Sequence, residues 1–338
     1  MAKEEAERKM REMEERKVRE DAERRAREEA DRKAKEMQKR LERERKARER
    51  RECLERERIA REEAERKIHE TEEHREADWL KACEEEKGKA GMVKRIVLPG
   101  GAEMELVYCP FGEFMMGSPT TEEGRVINET QHRVRLTKSF WLGKYPVTQA
   151  QWKSVMGNNP LGFKGDDRPV ECVSWDDCQQ FIAKVNAALN CGARLPTEAE
   201  WEYACRAGTT GAYGGTGNLD EMGWYGDNSE CYTKMEGGST DDTEREMRPV
   251  GTKEANAWEL CDMHGNVWEW CQDCYGDYPK GNVTDPIGPA SGKSRVLRGG
   301  CWEGLAWFCR SAYRHRSYPG LRYYCNGFRL CFSAGPHE

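Results

Sequence analysis

The sequence predicts an α+β domain of sparse secondary structure, preceded by a long charged N-terminal α-helix or coiled coil. Three observations carry this. Residues 1–90 hold 30 Lys+Arg and 30 Asp+Glu, and no proline or glycine occurs before about residue 85. From Val93 the texture changes to short β-type runs broken by turn residues. Three Ser/Thr-initiated capping patterns then announce helices within otherwise irregular chain. The organisation expected is a charged arm over 1–90 and a mixed globular domain over 91–338, with the surface of that domain at 301–326.

The arm is built from Ala, Glu, Lys and Arg, all good helix formers. Glu recurs four residues before a base, as in Glu5/Lys9, Glu12/Arg16, Glu20/Arg24 and Glu42/Lys46, an order that supports a solvated helix. A continuous helix of this length extends roughly 120 Å at ~1.5 Å per residue. The apolar positions Val18, Ala22, Ala26, Ala30, Ala34, Met37 and Leu41, then Leu54, Ile59, Ala64 and Ile68, follow a four-and-three rhythm only in part. Alanine fills much of it, whereas a coiled-coil seam wants larger residues over several heptads. A weak coiled coil, an isolated charged helix and a partly disordered charged tail all stay open. Each is a spacer or assembly arm, through which self-association or scaffold contact is expected.

Within the domain, Met104–Tyr108 and Glu113–Met116 read as strands around a Pro110–Gly112 turn, followed by Val134–Leu136 and Phe140–Leu142. Thr148-x-x-Gln151, Ser174-x-x-Asp177 and Thr197-x-x-Glu200 are capping boxes, the last opening a helix that ends near Gly208. After Ser174, Trp175, Cys178, Phe181, Ile182, Val185 and Leu189 form one apolar face at helical spacing.

Composition excludes several classes. The residues beyond 90 carry 26 basic and 32 acidic side chains of the chain's 56 and 62. That acidic balance argues against nucleic-acid binding, which needs a basic footprint. No run of about 18 apolar residues spans a membrane. The N-terminus lacks an apolar signal core, so a cytoplasmic chain is expected, with surface association only through a partner. Fifteen cysteines, an odd number, are then expected to be free thiols. Cys271-x-x-Cys274 is a weak metal signal without a second pair, and the sequons at Asn128 and Asn282 carry no weight without secretion. His132 and His264 are expected at the surface or bracing the fold.

The stretch Cys301–Asn326 shows no helical or strand period. It holds Trp302, Trp307, Phe308, Tyr313, Tyr318, Tyr323 and Tyr324, interleaved with Gly, Ser, Arg310, Arg314, Arg316 and Arg322. A core segment hides rings at a regular interval. Irregular rings beside small polar residues suit a recognition surface, with ordinary packing as the alternative. On the recognition reading, the arginines could pair acidic groups on a target.

Six blocks resemble the sulfatase-modifying-factor family, whose best-known member is the formylglycine-generating enzyme: Tyr145–Trp152, Arg168–Trp175, Arg194–Cys205, Gly265–Trp270, Arg298–Gly300 and Gly327–Arg329. They fall in the family's order over roughly 97–334, and the arm lies outside them. The resemblance implies a C-type-lectin-like fold of formylglycine-generating-enzyme type. It also implies an oxidase that converts a sulfatase cysteine to formylglycine on copper held by two cysteines separated by four residues. Cys309 falls on the second of these, but Gly304 falls on the first and offers no ligand, so copper is not expected. A calcium site of the family matches Asp262, Gly265, Val267 and Glu269, the middle two through backbone carbonyls.

The C-terminal part also resembles the variable region of proteins diversified by retroelements, through Arg298–Trp302, Cys309–Ala312, Arg314 and Gly327–Leu330. In such proteins mutagenised adenines turn Asn codons into a restricted set of residues. Gly304, Leu305, Phe308, Tyr313, His315, Ser317, Tyr318, Gly320, Leu321, Tyr323, Tyr324, Cys325 and Asn326 belong to that set. Trp302, Glu303 and Trp307 do not, and Pro319 and the arginines look like framework. A ligand-binding, non-catalytic protein is therefore the leading expectation. A protein or other macromolecule would be held by Glu303, Gly304, Leu305, Trp307, Phe308, Tyr313, His315, Ser317, Tyr318, Gly320, Leu321, Tyr323, Tyr324 and Asn326.

Overall fold

A computed structural model describes residues 2–87, 89–158, 164–229 and 247–334. Two units emerge, one reaching Trp79 and the other beginning at Leu80. The first is helix α1 (Ala2–Lys87) up to its last turns. Its larger apolar side chains, Val18, Met37, Leu41, Leu54, Ile59 and Ile68, are exposed. Surface ion pairs line it, including Glu5–Lys9, Glu42–Lys46, Arg16–Glu20 at 2.9 Å and Arg61–Glu65 at 2.9 Å. Glu12 and Glu20 pair with the base four residues before them, Arg8 and Arg16, and not with the later base that the spacing suggested. With bases on both sides, either order is available to each glutamate. Such pairs are exposed and screened, so the arm rests chiefly on backbone hydrogen bonds and helix propensity.

The second unit opens with strands β1 (Val93–Val97), β2 (Glu103–Cys109), β3 (Gly112–Met116), β4 (His132–Leu136) and β5 (Phe140–Gly143). Helices α2 (Gln149–Met156) and α3 (Trp175–Leu189) follow, then β6 (Ala193–Arg194), α4 (Glu198–Arg206), the single turn α5 (Leu219–Met222) and β7 (Gly223–Trp224). The chain closes with β8 (His264–Gly265), β9 (Trp268–Cys274), β10 (Val283–Thr284), β11 (Arg295–Arg298), β12 (His315–Ser317), β13 (Asn326–Gly327) and β14 (Cys331–Ser333).

All three capping boxes form. Thr148, Ser174 and Thr197 each accept from the backbone three residues on, while Gln151, Asp177 and Glu200 return a bond to the cap's own N–H. Helix α4 ends on Ala207 in the left-handed region, just before Gly208. Strands β1-β2-β5-β14-β6 make an antiparallel sheet, so the beginning and end of the described domain share one sheet. Strands β12-β11-β9-β13 make a second, smaller sheet. The apolar face of α3 packs as its spacing predicted: Phe181 stacks on Trp152 of α2 at 5.5 Å and meets Phe328 edge-on at 5.4 Å.

Close approach at the start of the aromatic stretch requires a glycine at 300. Gly300 has φ +76, and a Cβ there would lie 2.5 Å from the Cys309 sulfur and 3.0 Å from its backbone. Gly101 has φ +95 with nothing within 4 Å. Gly300→Ala should therefore lower unfolding free energy by roughly 2 kcal/mol or more, through left-handed strain plus overpacking. Gly101→Ala should cost only about 1–2 kcal/mol from strain. Denaturant midpoints of the two variants check this, and equal losses would contradict the close approach.

Candidate functional site

The site grows from β9. Alternation along the strand turns Trp268 and Trp270 into one core cluster, while Glu269 points away from them. Trp268 is buried and carries Phe308, Tyr313 and His315, with ring centroids 6.2, 6.0 and 5.1 Å from its own. Residues 301–326 are not wholly irregular: a 3₁₀ turn covers Ala306–Cys309, and β12 pairs antiparallel with β11. Two-sided exposure at β12 removed the alternation that would have announced it.

The stretch divides into two populations. Trp307 is 46% exposed, Tyr318 65%, Leu321 46% and Tyr323 43%, and His315 and Gly320 also face outward. Glu303, Leu305, Phe308, Tyr313, Ser317 and Tyr324 are half-buried. Trp302, Gly304, Cys309 and Asn326 are buried. Gly304 and Asn326 are thus corrected as surface contacts. The Gly304 carbonyl accepts from Gly226 N at 2.8 Å, and Asn326 lies in β13 beside Trp268. A shallow depression of about 250 Å³ opens among Trp268, Leu297, His315, Ser317, Leu321, Tyr323 and Asn326. Its rim comes from the predicted stretch. Its floor, Trp268 and Leu297, was missed; the aromatic-aliphatic alternation of strands β9 and β11 was the available signal.

The arginines require a second correction. Arg310 makes a two-pronged pair with Glu129 at 2.7 and 2.8 Å, and also reaches Glu122 at 2.6 Å and the Gly124 carbonyl at 2.7 Å. Arg314 clasps Glu198 at 2.6 and 2.7 Å and donates to the carbonyls of Asn128 and Gly276. Arg322 pairs Asp177 at 2.6 and 2.7 Å. Irregular chain leaves carbonyls without ladder partners, and a guanidinium carries five donors to satisfy them. Arg310 and Arg314 therefore hold the stretch from within, and Arg322 is engaged by Asp177 at the surface. Arg316 remains exposed, over the Tyr275 ring. Burial works against the Glu198 carboxylate, but Arg314 and Arg298 outweigh it and hold its pKa below the ordinary value.

The implied copper pair lacks one ligand, and the carboxylates of the implied calcium site already accept hydrogen bonds. Glu269 receives Arg329 through Nε at 2.7 Å and Nη2 at 2.6 Å, and Trp201 Nε1 at 2.7 Å. The same guanidinium donates to the carbonyls of Cys261 and Asp262. Asp262 accepts from Gly251 N at 2.7 Å and from Asn266. The carboxylates in the calcium reading of Asp262, Gly265, Val267 and Glu269 thus already accept from Arg329, Trp201, Gly251 and Asn266. For copper, Gly304 has no side chain and the Cys309 thiol is fully buried, its pKa pushed well up by burial. His264 braces the fold: Nδ1 donates to the Cys309 carbonyl at 2.8 Å while Nε2 accepts from Gly214 N at 2.9 Å, and burial holds its pKa down at about 4.

One grouping had no spacing signature. Cys301, Glu303 and Cys325 bring one ligand atom each within 4.8 Å of the others. Fourteen cysteines among the described residues are free thiols. Elsewhere, a cavity of about 470 Å³ is lined by Glu198, Asp273, His132, Tyr278 and Arg314, among others.

Fold and site together define a rigid lectin-like scaffold carrying an aromatic loop. A model of the sulfatase-modifying factor enzyme 1-like domain matches residues 98–334, and the chain belongs to this family. It is 33% identical over 202 residues to the chaperone protein LppX of Paenibacillus barcinonensis, covering 48% of this chain and 69% of that protein. It is 33% identical over 201 residues to the formylglycine-generating enzyme of Bos taurus, covering 56% of this chain and only 50% of that enzyme. The solved structure of Treponema denticola variable protein 1 is similar at TM-score 0.63 and 31% identity, covering 72% of this chain and 99% of that one. Among the described residues no helix is long and apolar enough to cross a membrane.

Two predictions follow from the buried charges. Arg314→Leu should cost about 3–5 kcal/mol, because it strips Glu198 of its main partner, whereas Arg322→Ala at an exposed pair should cost at most about 1 kcal/mol. Comparable losses in chemical denaturation would contradict this ranking. Burial and the nearby Glu198 push the pKa of Asp273 up to about 7. The folded state then holds a proton that the unfolded state releases near pH 4, so this group's contribution to stability falls as pH rises from about 4 to about 7. Asp273→Asn should gain stability relative to the parent across that window. An unchanged difference between pH 4 and pH 8 would contradict it.

Proposed function

We propose that this chain is a non-catalytic ligand-binding protein whose aromatic loop, within 301–326, contacts a protein or other macromolecule. The supporting observation is the division of labour in that loop. Trp307, Tyr318, Leu321 and Tyr323 face outward, the last two lining the depression, while Arg310 and Arg314 are paired inside the protein and Arg322 is paired with Asp177 at its surface. Rigid rings on a fixed backbone lose little freedom on binding, and burying them against a partner supplies the apolar contact that dominates such interfaces. The likeness to a variable protein of Treponema supports the same reading. The charged helix acts as a spacer or assembly arm.

Family membership favours one rival, an oxidase acting on protein cysteine, but Gly304 leaves that chemistry without its first sulfur. The test replaces the outward residues only: Tyr318, Leu321 and Tyr323 to Ala in the full chain. Partners captured by the parent should be lost, with the melting temperature nearly unchanged. Incubation with copper and a sulfatase-type cysteine peptide should produce no aldehyde by mass. Collapse of melting would mean the rings are packing, and aldehyde formation would restore the oxidase.

A further inference from the structure

Cys301 directly follows the Gly299-Gly300 pair, and Cys325 directly precedes β13. Both ends of the aromatic loop are pinned by one short segment: Trp302 N donates to Asn266 O at 3.0 Å, and Trp268 N donates to Cys325 O at 2.7 Å. The two sulfurs are thereby brought together by backbone bonds that belong to the framework. Both cysteines are buried, and Glu303 is half-buried beside them, leaving an approach from solvent. The Tyr324 hydroxyl donates to one oxygen of Glu303 and fixes the carboxylate's orientation.

We propose that Cys301, Cys325 and Glu303 form a zinc site that clasps the two ends of the aromatic loop. Tetrahedral zinc with Zn–S of about 2.3 Å and Zn–O of about 2.1 Å needs ligand atoms roughly 3.5–3.8 Å apart. Atoms already within 4.8 Å of one another reach that spacing by small side-chain rotations. Two sulfurs with one carboxylate suit borderline-soft zinc, whereas copper(I) favours sulfur alone. Tyr324 plays the outer-shell part that orients a ligating carboxylate. Three protein ligands leave the fourth position to water or to a group from a bound partner. Both thiols lose their protons to solvent as the metal binds, and no electrons are transferred. The site is distinct from the Gly304/Cys309 positions of the implied copper pair, and it does not depend on what the aromatic surface binds.

The test uses the full chain, purified metal-free under reducing conditions and titrated with Zn²⁺ and Co²⁺. One equivalent should bind, and cobalt should show a thiolate-to-metal charge-transfer band that Zn²⁺ displaces. Cys325→Ser should abolish the band, while Cys53→Ser, on the exposed arm, should leave it intact. Glu303→Gln keeps both sulfurs and guards against misfolding of the cysteine variant. It should weaken zinc binding at least tenfold without changing the melting temperature of the metal-free protein. Absence of the band, its persistence in Cys325→Ser, unchanged affinity in Glu303→Gln, or a Cys301–Cys325 disulfide in the isolated protein would each overturn the proposal.

Discussion

Arg314 and Glu198 lie 116 residues apart in sequence and meet in a buried two-pronged ion pair. Much else in the domain hangs on this contact and its neighbours. Helix α4 presents Glu198, Glu202 and Arg206 at successive four-residue steps, so one helix face carries three charges into the interior. Arg298 joins Glu198 and Glu202 from β11 and donates to the carbonyls of Ser311 and Ala312. Arg206 returns to Glu202 and to the Gly117 carbonyl. A domain with two- and three-residue strands cannot satisfy its backbone by ladders alone, and these guanidinium groups supply the missing donors.

The same network explains why an irregular loop can serve as a surface. Arg310 and Arg314 anchor its middle, and the bonds of Trp302 and Cys325 to the β9 region anchor its ends. Phe308 and Tyr313 then pack on Trp268, so the half-buried rings act as a footing for the outward ones. Had the arginines faced solvent, the stretch would have carried charge to a partner but lacked a fixed shape. Scaffold rigidity and outward rings are thus linked through which side chains are paired internally.

Local features of this architecture were legible in the sequence and distant ones were not. The boxes at Thr148, Ser174 and Thr197 each involve groups three residues apart, so their helices could be read directly. The strands Glu103–Cys109 and Phe140–Gly143 showed their runs of apolar and β-branched residues. By contrast, β6, β7, β8 and β13 are two residues long, too short for any period. The carboxylate partners of Arg310, Arg314 and Arg329 lie 60 to 188 residues away, and no spacing rule names them. The internal pairing of Arg310 and Arg314, and the hydrogen bonds that Asp262 and Glu269 already accept, escaped the sequence for this one reason. Cys301 and Cys325 converge where Trp302 and Cys325 bond the segment Asn266 to Trp268, a meeting that no local spacing announces.

Amide hydrogen exchange across residues 301–326 probes the central idea most directly, namely that buried ion pairs hold this loop as firmly as the sheet beneath it. The segment around Ser311 and Tyr313, whose amides bond Ala212 and Arg310 carbonyls at 2.7 and 3.0 Å, should exchange as slowly as β9. Replacement of Arg314 by leucine should accelerate exchange there selectively. Fast exchange of Ser311 and Tyr313 in the unaltered protein would contradict the account.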